Sequence, residues 1–265
     1  MKKISNSQLK KIKEFLRDRK ARDSEGLFVV EGMKIVKDAF AKRHKINFVV
    51  VSDSFVSENE VFVAELEAKS ITVFKSAERD FEKISSLQNS QGIAAIIDKP
   101  GWGNIRGSDS KYMFVVLCDG VQDPGNLGTI IRVSAAFGAD FVLLTGKGVD
   151  IYNPKVVRAS SGAILDIPVY ECNAKDLDSY KKKGYSFLIS SVQREKSKDL
   201  SVINNFSRPL IVVFGSEGKG VSKEIKSRAD GYFYIPISRK VESLNVSAAA
   251  AITLYELTRK WKKFV

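Results

Sequence analysis

The sequence predicts an α/β protein with two domains. Short apolar runs such as FVVVS (48–52) and LIVVFG (210–215) alternate with segments whose apolar residues recur at helical spacing. This alternation is typical of mostly parallel sheets that are covered by helices on both faces. The Pro-, Gly- and Ser-rich stretch KPGWGNIRGSDS (99–110) interrupts the alternation and predicts a linker. We therefore expect one domain at residues 1–104 and a second at residues 105–265.

The elements of the first half follow from local patterns. Leu9, Ile12 and Leu16 have helical spacing, which predicts an amphipathic helix over residues 5–19. The run LFVVEG (27–32) predicts a strand that enters a turn, and a helix carrying Met33, Ile35, Val36 and Phe40 follows. The remaining predicted elements are a strand at 48–52, a helix near 57–69, a strand at 71–74, a short helix and a strand at 92–98.

The second half repeats the alternation up to a terminal helix that begins near residue 245. Strands are predicted at 113–118, 141–146, 168–172, 186–192, 210–215 and 233–237, with helices at about 127–137, 154–164 and 174–183. The terminal helix opens with four alanines, Ala248 to Ala251, and continues with the apolar stripe Leu254, Leu257 and Trp261.

The charge of the chain indicates a polyanionic partner. Lys and Arg number 43 against 31 Asp and Glu, which gives a net charge of +12. Residues 1–20 hold eight of these cations against Glu14 and Asp18, a local net charge of +6. Nucleic acid is the expected partner, and ordinary solvated helix faces are the alternative explanation.

Several classes of protein are disfavoured by the composition. No apolar run approaches the ~18 residues of a membrane-spanning helix, and the basic start lacks the apolar core of a secretory signal. We therefore expect a cytoplasmic protein without a membrane partner; a mitochondrial transit peptide is the weaker alternative. Cys118 and Cys172 lie in apolar runs without metal-ligand spacing, which predicts buried free thiols and no metal site. His44 is the only histidine, so a histidine base cannot be assumed.

The glycine-rich stretches do not match nucleotide-binding templates. GSEGKGVS (215–222) has Val221 at the position where a phosphate-binding loop requires Lys, although Ser222 follows it. GKGVDI (146–151) and GWGNIR (101–106) lack the third glycine of a dinucleotide-binding turn. These stretches still provide backbone that a ligand can approach closely, because glycine has no Cβ.

Three separated blocks resemble, in order and spacing, the motifs of the SpoU (TrmH) family of RNA ribose methyltransferases in the SPOUT superfamily. They are DPGNLGTIIRVSAAFGAD (123–140), LIVVFGSEGKGVS (210–222) and IPISRKVESLNVSAAAAITLYE (235–256). The segment at 152–169 is similar to the family's usual intervening sequence. The stretches at 17–32 and 90–97 resemble its small substrate-binding domain, so the resemblance spans nearly the whole chain.

The resemblance implies a C-terminal SPOUT α/β domain with a deep trefoil knot, which binds S-adenosylmethionine and forms a homodimer. It also implies a smaller N-terminal α/β domain, similar to a ribosomal protein, that binds RNA. The expected reaction is methylation of a ribose 2′-hydroxyl in RNA, and ribosomal RNA is the expected substrate. The alternatives are a tRNA 2′-O-methyltransferase, a base methyltransferase of the wider knotted superfamily and a non-catalytic RNA-binding factor for ribosome assembly.

The resemblance also assigns roles to loop residues. The expected cofactor-binding residues are Leu143, Thr145, Gly146, Gly215, Ser216, Gly218, Ile235 and Leu244. The expected catalytic residues are Asn126, Arg132, Glu217, Ser243 and Asn245. Since a guanidinium is essentially always protonated, we favour Arg132 as an electrostatic clamp on the developing alkoxide and keep a deprotonated-arginine base as the alternative.

The other catalytic residues keep two roles each. Asn126 either caps its helix or orients the ribose, and Glu217 either pairs with Arg132 or lies near the sulfonium. Ser243 or Asn245 caps the terminal helix, and the other is free to face the ligand.

The basic N-terminal segment is expected to bind RNA through Arg17, Arg19, Lys20 and Arg22. The chain departs from the family at Ile237-Ser238-Arg239, where a Met-x-Gly run is common after Ile-Pro. Arg239 and Lys240 could instead contact RNA phosphate.

Overall fold

The computed structural model describes residues 1–85, 89–102, 113–146, 148–203, 209–238 and 240–261. The chain forms two compact units, the first with Met1–Trp102 and Asp150–Leu165, the second with Gly103–Val149 and Asp166–Val265. The predicted boundary between residues 104 and 105 and most of the predicted linker lie outside the described residues, and the division at that point stays a prediction.

The first half of the chain contains five strands and six helices within the described residues. They are β1 Lys2–Lys3, α1 Asn6–Arg17, α2 Arg19–Glu25, β2 Leu27–Glu31, α3 Met33–Ala41, β3 Ile46–Ser52, α4 Asp53–Glu58, α5 Glu60–Ala68, β4 Thr72–Ser76, α6 Glu78–Glu82 and β5 Ile93–Asp98.

The second half continues with seven strands and five helices in the described part of the chain. They are β6 Phe114–Asp119, α7 Pro124–Ala136, β7 Phe141–Thr145, α8 Pro154–Ala159, β8 Val169–Glu171, α9 Leu177–Lys182, β9 Ser186–Ser190, β10 Lys198–Asp199, β11 Leu210–Gly215, α10 Lys223–Lys226, β12 Gly231–Tyr234 and α11 Val246–Lys260.

The sheet of the first unit is mixed, with strand order β1-β4-β3-β5-β2. β1, β4 and β3 are parallel, whereas β5 runs antiparallel to both β3 and β2. The sequence predicted a mostly parallel sheet here. A strand that is buried on both faces reads as a continuous apolar run in either direction, so the composition of Ile93–Asp98 does not reveal its direction.

The sheet of the second unit is parallel throughout, with strand order β10-β12-β9-β11-β6-β7-β8. Its central strands β6, β7 and β11 are buried, apart from Gly215 at the end of β11, which is half-buried. This confirms the parallel arrangement predicted for the second half. Parallel strands end at a common edge, which is where ligands bind in open α/β sheets.

Several helix boundaries differ from the prediction for local reasons. The helix expected near 57–69 is two helices that meet at Asn59, whose backbone is not helical (φ −133°). The helix expected at 154–164 ends at Ala159, because Ser161 and Gly162 take positive φ angles of 50° and 94°. α2, β1, β10 and α10 were not predicted, and each has seven residues or fewer.

The segment 150–165 is grouped with the first unit, although the sequence places it in the second domain. Within that unit, the rings of Tyr152 and Phe28 stack with centroids 4.6 Å apart. Asp150 forms an ion pair with the buried Arg22, and Val156 and Val157 are buried. This grouping depends on contacts between distant parts of the chain, which local sequence patterns do not encode.

The predicted apolar stripes are confirmed in part. In the first unit α1 buries Ile12 of the predicted stripe together with Phe15, whereas Leu9 and Leu16 are half-buried. In the second, α11 packs against α7 and β11 and buries Ala250, Leu254 and Leu257. Both cysteines are free thiols; Cys118 is buried and Cys172 half-buried. Among the residues that the structure describes, no helix is both long and apolar enough to cross a membrane.

Candidate active site

Three strands of the second unit end side by side at one edge of the parallel sheet. Gly215 at the end of β11 is in register with Asp119 at the end of β6, and Asp119 is in register with Thr145 at the end of β7. Thus the residues expected to bind the cofactor on two separate segments, Thr145–Gly146 and Gly215–Gly218, lie at the same edge.

Asp119 links these strand ends, and the sequence analysis missed it. Its carboxylate is 6% exposed. One oxygen accepts from the Thr145 hydroxyl at 2.9 Å, and the other accepts from the backbone N–H of Ser222 at 2.7 Å. Because a buried carboxylate needs such donors, Asp119 holds β7 and the turn after β11 in fixed positions. An acidic residue that ends a buried apolar strand is the signal that could have identified it.

The turn after β11 requires glycine at its first position. A Cβ at Gly215 would lie far inside contact distance of the carbonyl carbon of Gly220 and the nitrogen of Val221. The turn is closed by two backbone hydrogen bonds between Ser216 and Gly220, of 2.9 and 3.2 Å. Gly218 faces open space at the tip of this turn. Gly146, at the end of β7, has a φ of 75° that side chains rarely adopt.

Side chains from all three motif blocks meet in a hydrogen-bond relay. The Asn126 Nδ2 group donates to Glu217 Oε1 at 2.6 Å, and its Oδ1 atom accepts from Asn245 Nδ2 at 2.9 Å. Asn245 Oδ1 in turn accepts from the backbone N–H groups of Ser247 and Ala248, at 2.8 and 3.4 Å. The structure therefore brings together three of the five residues expected to be catalytic.

The helix cap at α11 determines which atoms donate and which accept along this relay. Asn245 is the N-cap of α11, so its oxygen is committed to helix N–H groups and its amide nitrogen must point to Asn126. Asn126 must then offer its oxygen to Asn245, which directs its own nitrogen at the Glu217 carboxylate. The capping role proposed for Asn245 is confirmed.

The capping role considered for Asn126 is wrong. Asp123 caps α7 instead, because its carboxylate accepts from the backbone N–H of Asn126 at 2.7 Å and Pro124 occupies the first helical turn. The helix accordingly begins three residues earlier than predicted, and the side chain of Asn126 is left to the relay.

Arg132 and Ser243 are not part of the relay. Both side chains are exposed, and neither forms a hydrogen bond or ion pair with any residue that the structure describes. Glu217 contacts Asn126 and does not pair with Arg132. Since a helix turns by about 100° per residue, Arg132 lies roughly 120° around α7 from Asn126.

The remaining cofactor residues lie in different environments. Leu143 and Thr145 are buried within β7, whereas Ile235 and Leu244 are half-buried in the segment between β12 and α11.

A second residue missed by the sequence analysis, Arg194, braces that segment. Its guanidinium donates to the carbonyl oxygen of Ile237 at 2.7 Å and lies 5.7 Å from the ring centroid of Tyr234. Arg239, in the same segment, lies outside the described residues.

The basic residues expected to bind RNA separate into two groups in the first unit. Arg17, Arg19 and Lys20 are exposed. The prediction that Arg22 is available to RNA is corrected by its burial. Arg22 is 3% exposed, donates to the carbonyl oxygen of Phe15 and pairs with Asp150. Arg22 is the fourth residue of α2, whose direction turns its side chain inward, so it holds the 150–165 segment and is not presented to solvent.

Comparisons with known proteins connect this geometry to a family. A profile described as the SpoU rRNA methylase family matches residues 113–255, more than half of the chain, and a profile of the MRM3-like substrate binding domain matches residues 6–95. A Bacillus subtilis protein named 23S rRNA (guanosine(2553)-2′-O)-methyltransferase RlmP is 30% identical over 261 residues, which cover 97% of this chain and 99% of that protein. A Staphylococcus saprophyticus protein, named as a TrmH family tRNA/rRNA methyltransferase, is 32% identical, and the match covers 88% of this chain and 95% of that protein.

Solved structures agree over the full chain. An rRNA methyltransferase from Sinorhizobium meliloti with bound AdoMet superposes with a TM-score of 0.85 at 27% identity, covering 100% of this chain and 98% of that one. An RNA methyltransferase of the TrmH family from Porphyromonas gingivalis has a TM-score of 0.80 at 32% identity, covering 97% and 99%. The relay joins all three motif blocks within a unit that has this fold, and the chain belongs to the SpoU rRNA methylase family.

Proposed function

We propose that this protein transfers a methyl group from S-adenosylmethionine to the 2′-hydroxyl of a ribose in ribosomal RNA, in the cytoplasm. The observation that carries the proposal is the relay of Asn126, Glu217 and Asn245. It joins the three motif blocks beside the strand ends where a ligand of a parallel sheet binds.

The edge of the sheet fits the methyl donor. Gly218 faces open space and leaves its backbone groups open to an adenosine, Gly146 is exposed at the end of β7, and the Gly215 position admits no side chain. Glu217 is exposed in the same turn and places a carboxylate where a sulfonium would be favoured by its opposite charge. Arg194 and Asp119 keep the surrounding segments in place. Gly146, Gly215, Ser216, Gly218, Ile235 and Leu244 would hold the donor, with Leu143 and Thr145 forming the buried wall behind them.

The protein's own groups act on the sugar hydroxyl. When bound, S-adenosylmethionine supplies an electrophilic methyl group. A ribose hydroxyl is a poor acid, so the site must stabilise the oxygen as its proton leaves and hold it in line with the methyl carbon. Arg132 is exposed and free to engage RNA, and we assign it the role of electrostatic clamp on the alkoxide and the neighbouring phosphate. The relay orients the ribose and orders the turn that carries Glu217.

Substitution of Arg132 tests this mechanism. Arg132→Ala should bind S-adenosylmethionine with unchanged affinity in calorimetry but lose methyl transfer by about 100-fold or more, the range found for other electrostatic catalytic groups. Arg132→Lys retains the positive charge but lacks the planar guanidinium group, so it should recover part of the lost methyl transfer. Turnover of Arg132→Ala at the wild-type rate would remove this residue from the mechanism.

The RNA substrate has two candidates, because one relative's name includes both tRNA and rRNA. Mass spectrometry of ribosomal and transfer RNA, with and without the gene, separates them by the fraction in which a 2′-O-methylated nucleoside disappears. Loss of a base-methylated nucleoside would contradict ribose chemistry, and no change in either RNA would favour the non-catalytic alternative.

RNA capture by the first unit is a further part of the proposal. Arg17, Arg19 and Lys20 are exposed near the basic face of α1, and the MRM3-like substrate binding domain covers this region. Lysines and arginines of this kind bind phosphate and position RNA without reading its sequence. Charge reversal at Arg17 should weaken RNA binding and leave donor binding unchanged, and equal RNA affinity would contradict it.

Two structural features of the family are proposed here as well. The exposed apolar residues Ile252 and Tyr255 on α11 support a homodimer, since a free helix rarely presents both to water. A monomer in analytical ultracentrifugation would contradict this.

The close packing of α11 on α7 and β11, with Ala250 buried, supports a threaded C-terminal segment. An experimental structure with an unthreaded C terminus would contradict the knot.

A further inference from the structure

A cavity of about 140 Å³ in the first unit belongs to none of the sites described above. Its floor is apolar and is formed by Val29, Ile35 and Val157 with their neighbours. The cavity lies between β2, the start of α3 and α8, which are all parts of that unit. An apolar floor in an open pocket is typical of ligand-binding sites.

Five polar or charged side chains line the cavity beside this floor: Glu31, Lys34, Gln91, Arg158 and Ser161. Gln91 is oriented by the protein, because its Oε1 atom accepts from the backbone N–H of Met33 at 2.8 Å. Its Nε2 donor has no partner among the residues that the structure describes. Glu31 is held in place by the hydroxyls of Ser85 and Ser90. Lys34 is exposed at the rim, where its ammonium group lies 3.1 Å from the Ser161 hydroxyl.

The backbone around the cavity is also fixed. Gly32 has a φ of 108°, and a Cβ there would lie 3.1 Å from Gln91 Oε1. Glycine at this position therefore lets the amide of Gln91 approach the chain between Glu31 and Met33. The donor of Gln91 is thus held on one side of the apolar floor.

This combination matches the chemistry of one nucleotide. A nucleobase has two apolar faces and an edge of donors and acceptors, and its phosphate is negative. RNA recognition commonly uses unstacked bases of this kind, held by apolar contacts and edge hydrogen bonds. The donor of Gln91 can bind a carbonyl oxygen or a ring nitrogen, and every base has such an acceptor on its edge. The MRM3-like substrate binding domain covers Val29, Glu31, Lys34 and Gln91.

We infer that this cavity receives a single unstacked base of the RNA substrate, with Lys34 holding its phosphate. The inference rests on the proposed function, since it names a subsite for the same substrate. It adds a specific contact to the phosphate contacts of the basic helix.

A pair of charge reversals on one helix tests the inference. Lys34→Glu and Lys37→Glu make the same change in charge one turn apart on α3, and both side chains are exposed. Lys37 does not line the cavity; its ammonium group lies over the ring of Phe62. We expect Lys34→Glu to bind ribosomal RNA about tenfold more weakly than Lys37→Glu, the scale of one lost hydrogen bond to a charged group. Equal RNA affinities of the two variants would overturn the inference.

A second measurement does not depend on those variants. Titration of the full-length protein with GMP, AMP, CMP and UMP, followed by NMR at Gln91 and Val157, should show saturable shifts at both residues. Gln91→Glu keeps the acceptor for Met33 but removes the free donor, and it should weaken that binding. No saturable shifts with any nucleotide, or equal binding by Gln91→Glu and wild type, would overturn the inference.

The two proposals fail separately, because RNA binding is measured without the methyl donor. Equal affinities of Lys34→Glu and Lys37→Glu, together with normal methylation by the wild type, would remove the base pocket and leave the proposed function in place. If instead Lys34→Glu binds RNA more weakly than Lys37→Glu but the wild-type protein methylates no RNA, the base pocket stands and the proposed function is contradicted.

Discussion

Asn245 caps a helix and joins the hydrogen-bond relay with the same side chain. Its oxygen caps α11, and its nitrogen donates to Asn126, which in turn donates to Glu217. An amide is the only common side chain that accepts at one atom and donates at the next in this geometry. The requirement for asparagine here therefore exceeds the requirement for a good helix cap.

Replacement of Asn245 by Asp separates these two roles. Asp caps a helix about as well as Asn, so we expect the free energy of unfolding of Asn245→Asp to stay within about 0.5 kcal/mol of wild type. The second carboxylate oxygen cannot donate to Asn126, and the amide of Asn126 must turn its oxygen toward Glu217. Methyl transfer should fall by about tenfold or more, in keeping with a lost charge-assisted hydrogen bond.

Asn153→Asp is the matched control for this substitution. Asn153 caps α8 through the backbone N–H of Lys155 at 2.9 Å and belongs to no relay. Urea unfolding and single-turnover methylation of both variants make the comparison. If both variants methylate RNA at the wild-type rate, the relay has no part in catalysis.

At the scale of elements, the sheet edge that carries the candidate active site depends on how three parallel strands are joined at their ends. β6 ends in Asp119, and the carboxylate connects β7 to the turn that follows β11. The alternating pattern of strands and helices fixes no such connection, because it describes each element by itself.

Two substitutions at Asp119 should differ in a defined order. In Asp119→Asn the amide oxygen can still accept from Ser222, and the amide nitrogen can donate to the Thr145 hydroxyl, which also accepts. Asp119→Ala removes the acceptor of the Ser222 N–H and leaves the buried hydroxyl of Thr145 without its partner, at a cost of about 1–3 kcal/mol. We expect Asn to preserve both stability and donor affinity more closely than Ala in urea unfolding and calorimetry. Greater damage by Asn than by Ala would contradict the assigned hydrogen bonds.

On the scale of the whole molecule, the central sheet of the second unit excludes water from Cys118. Burial, with smaller effects of Asp119 and Glu217, raises the pKa of this thiol to about 12. The thiol is neutral in the folded protein, whereas it ionises near pH 9 once the chain unfolds. Because the folded pKa is the higher one, the stability that depends on the neutral thiol is complete below pH 9 and is lost between pH 9 and 12.

The stability of the fold should therefore fall at alkaline pH. For Cys118 alone, the loss at pH 10 relative to pH 8 is about 1.4 kcal/mol, the free energy of one pKa unit. Cys118→Ser carries no group that titrates in this range, so its free energy of unfolding should decrease less between these two pH values. Urea unfolding at both pH values measures the difference, and identical decreases in the two proteins would contradict it.

The sequence by itself determined those strands and helices whose buried residues follow a regular pattern along the chain. Continuous apolar runs identified β6, β7 and β11, and helical spacing identified α1 and α11, because periodicity records which side of an element faces the core. The three motif blocks also identified the family and the residues of the relay, since their order and spacing are properties of the chain alone.

Tertiary structure alone decided which of those residues meet and in which direction. Asn126 lies 91 residues from Glu217 and 119 from Asn245, and only the path of the chain brings the three together. The same holds for the burial of Arg22, for the grouping of 150–165 with the first unit and for the reversed direction of β5. Each of these depends on hydrogen bonds or ion pairs between distant segments, whose free energy is absent from any local pattern.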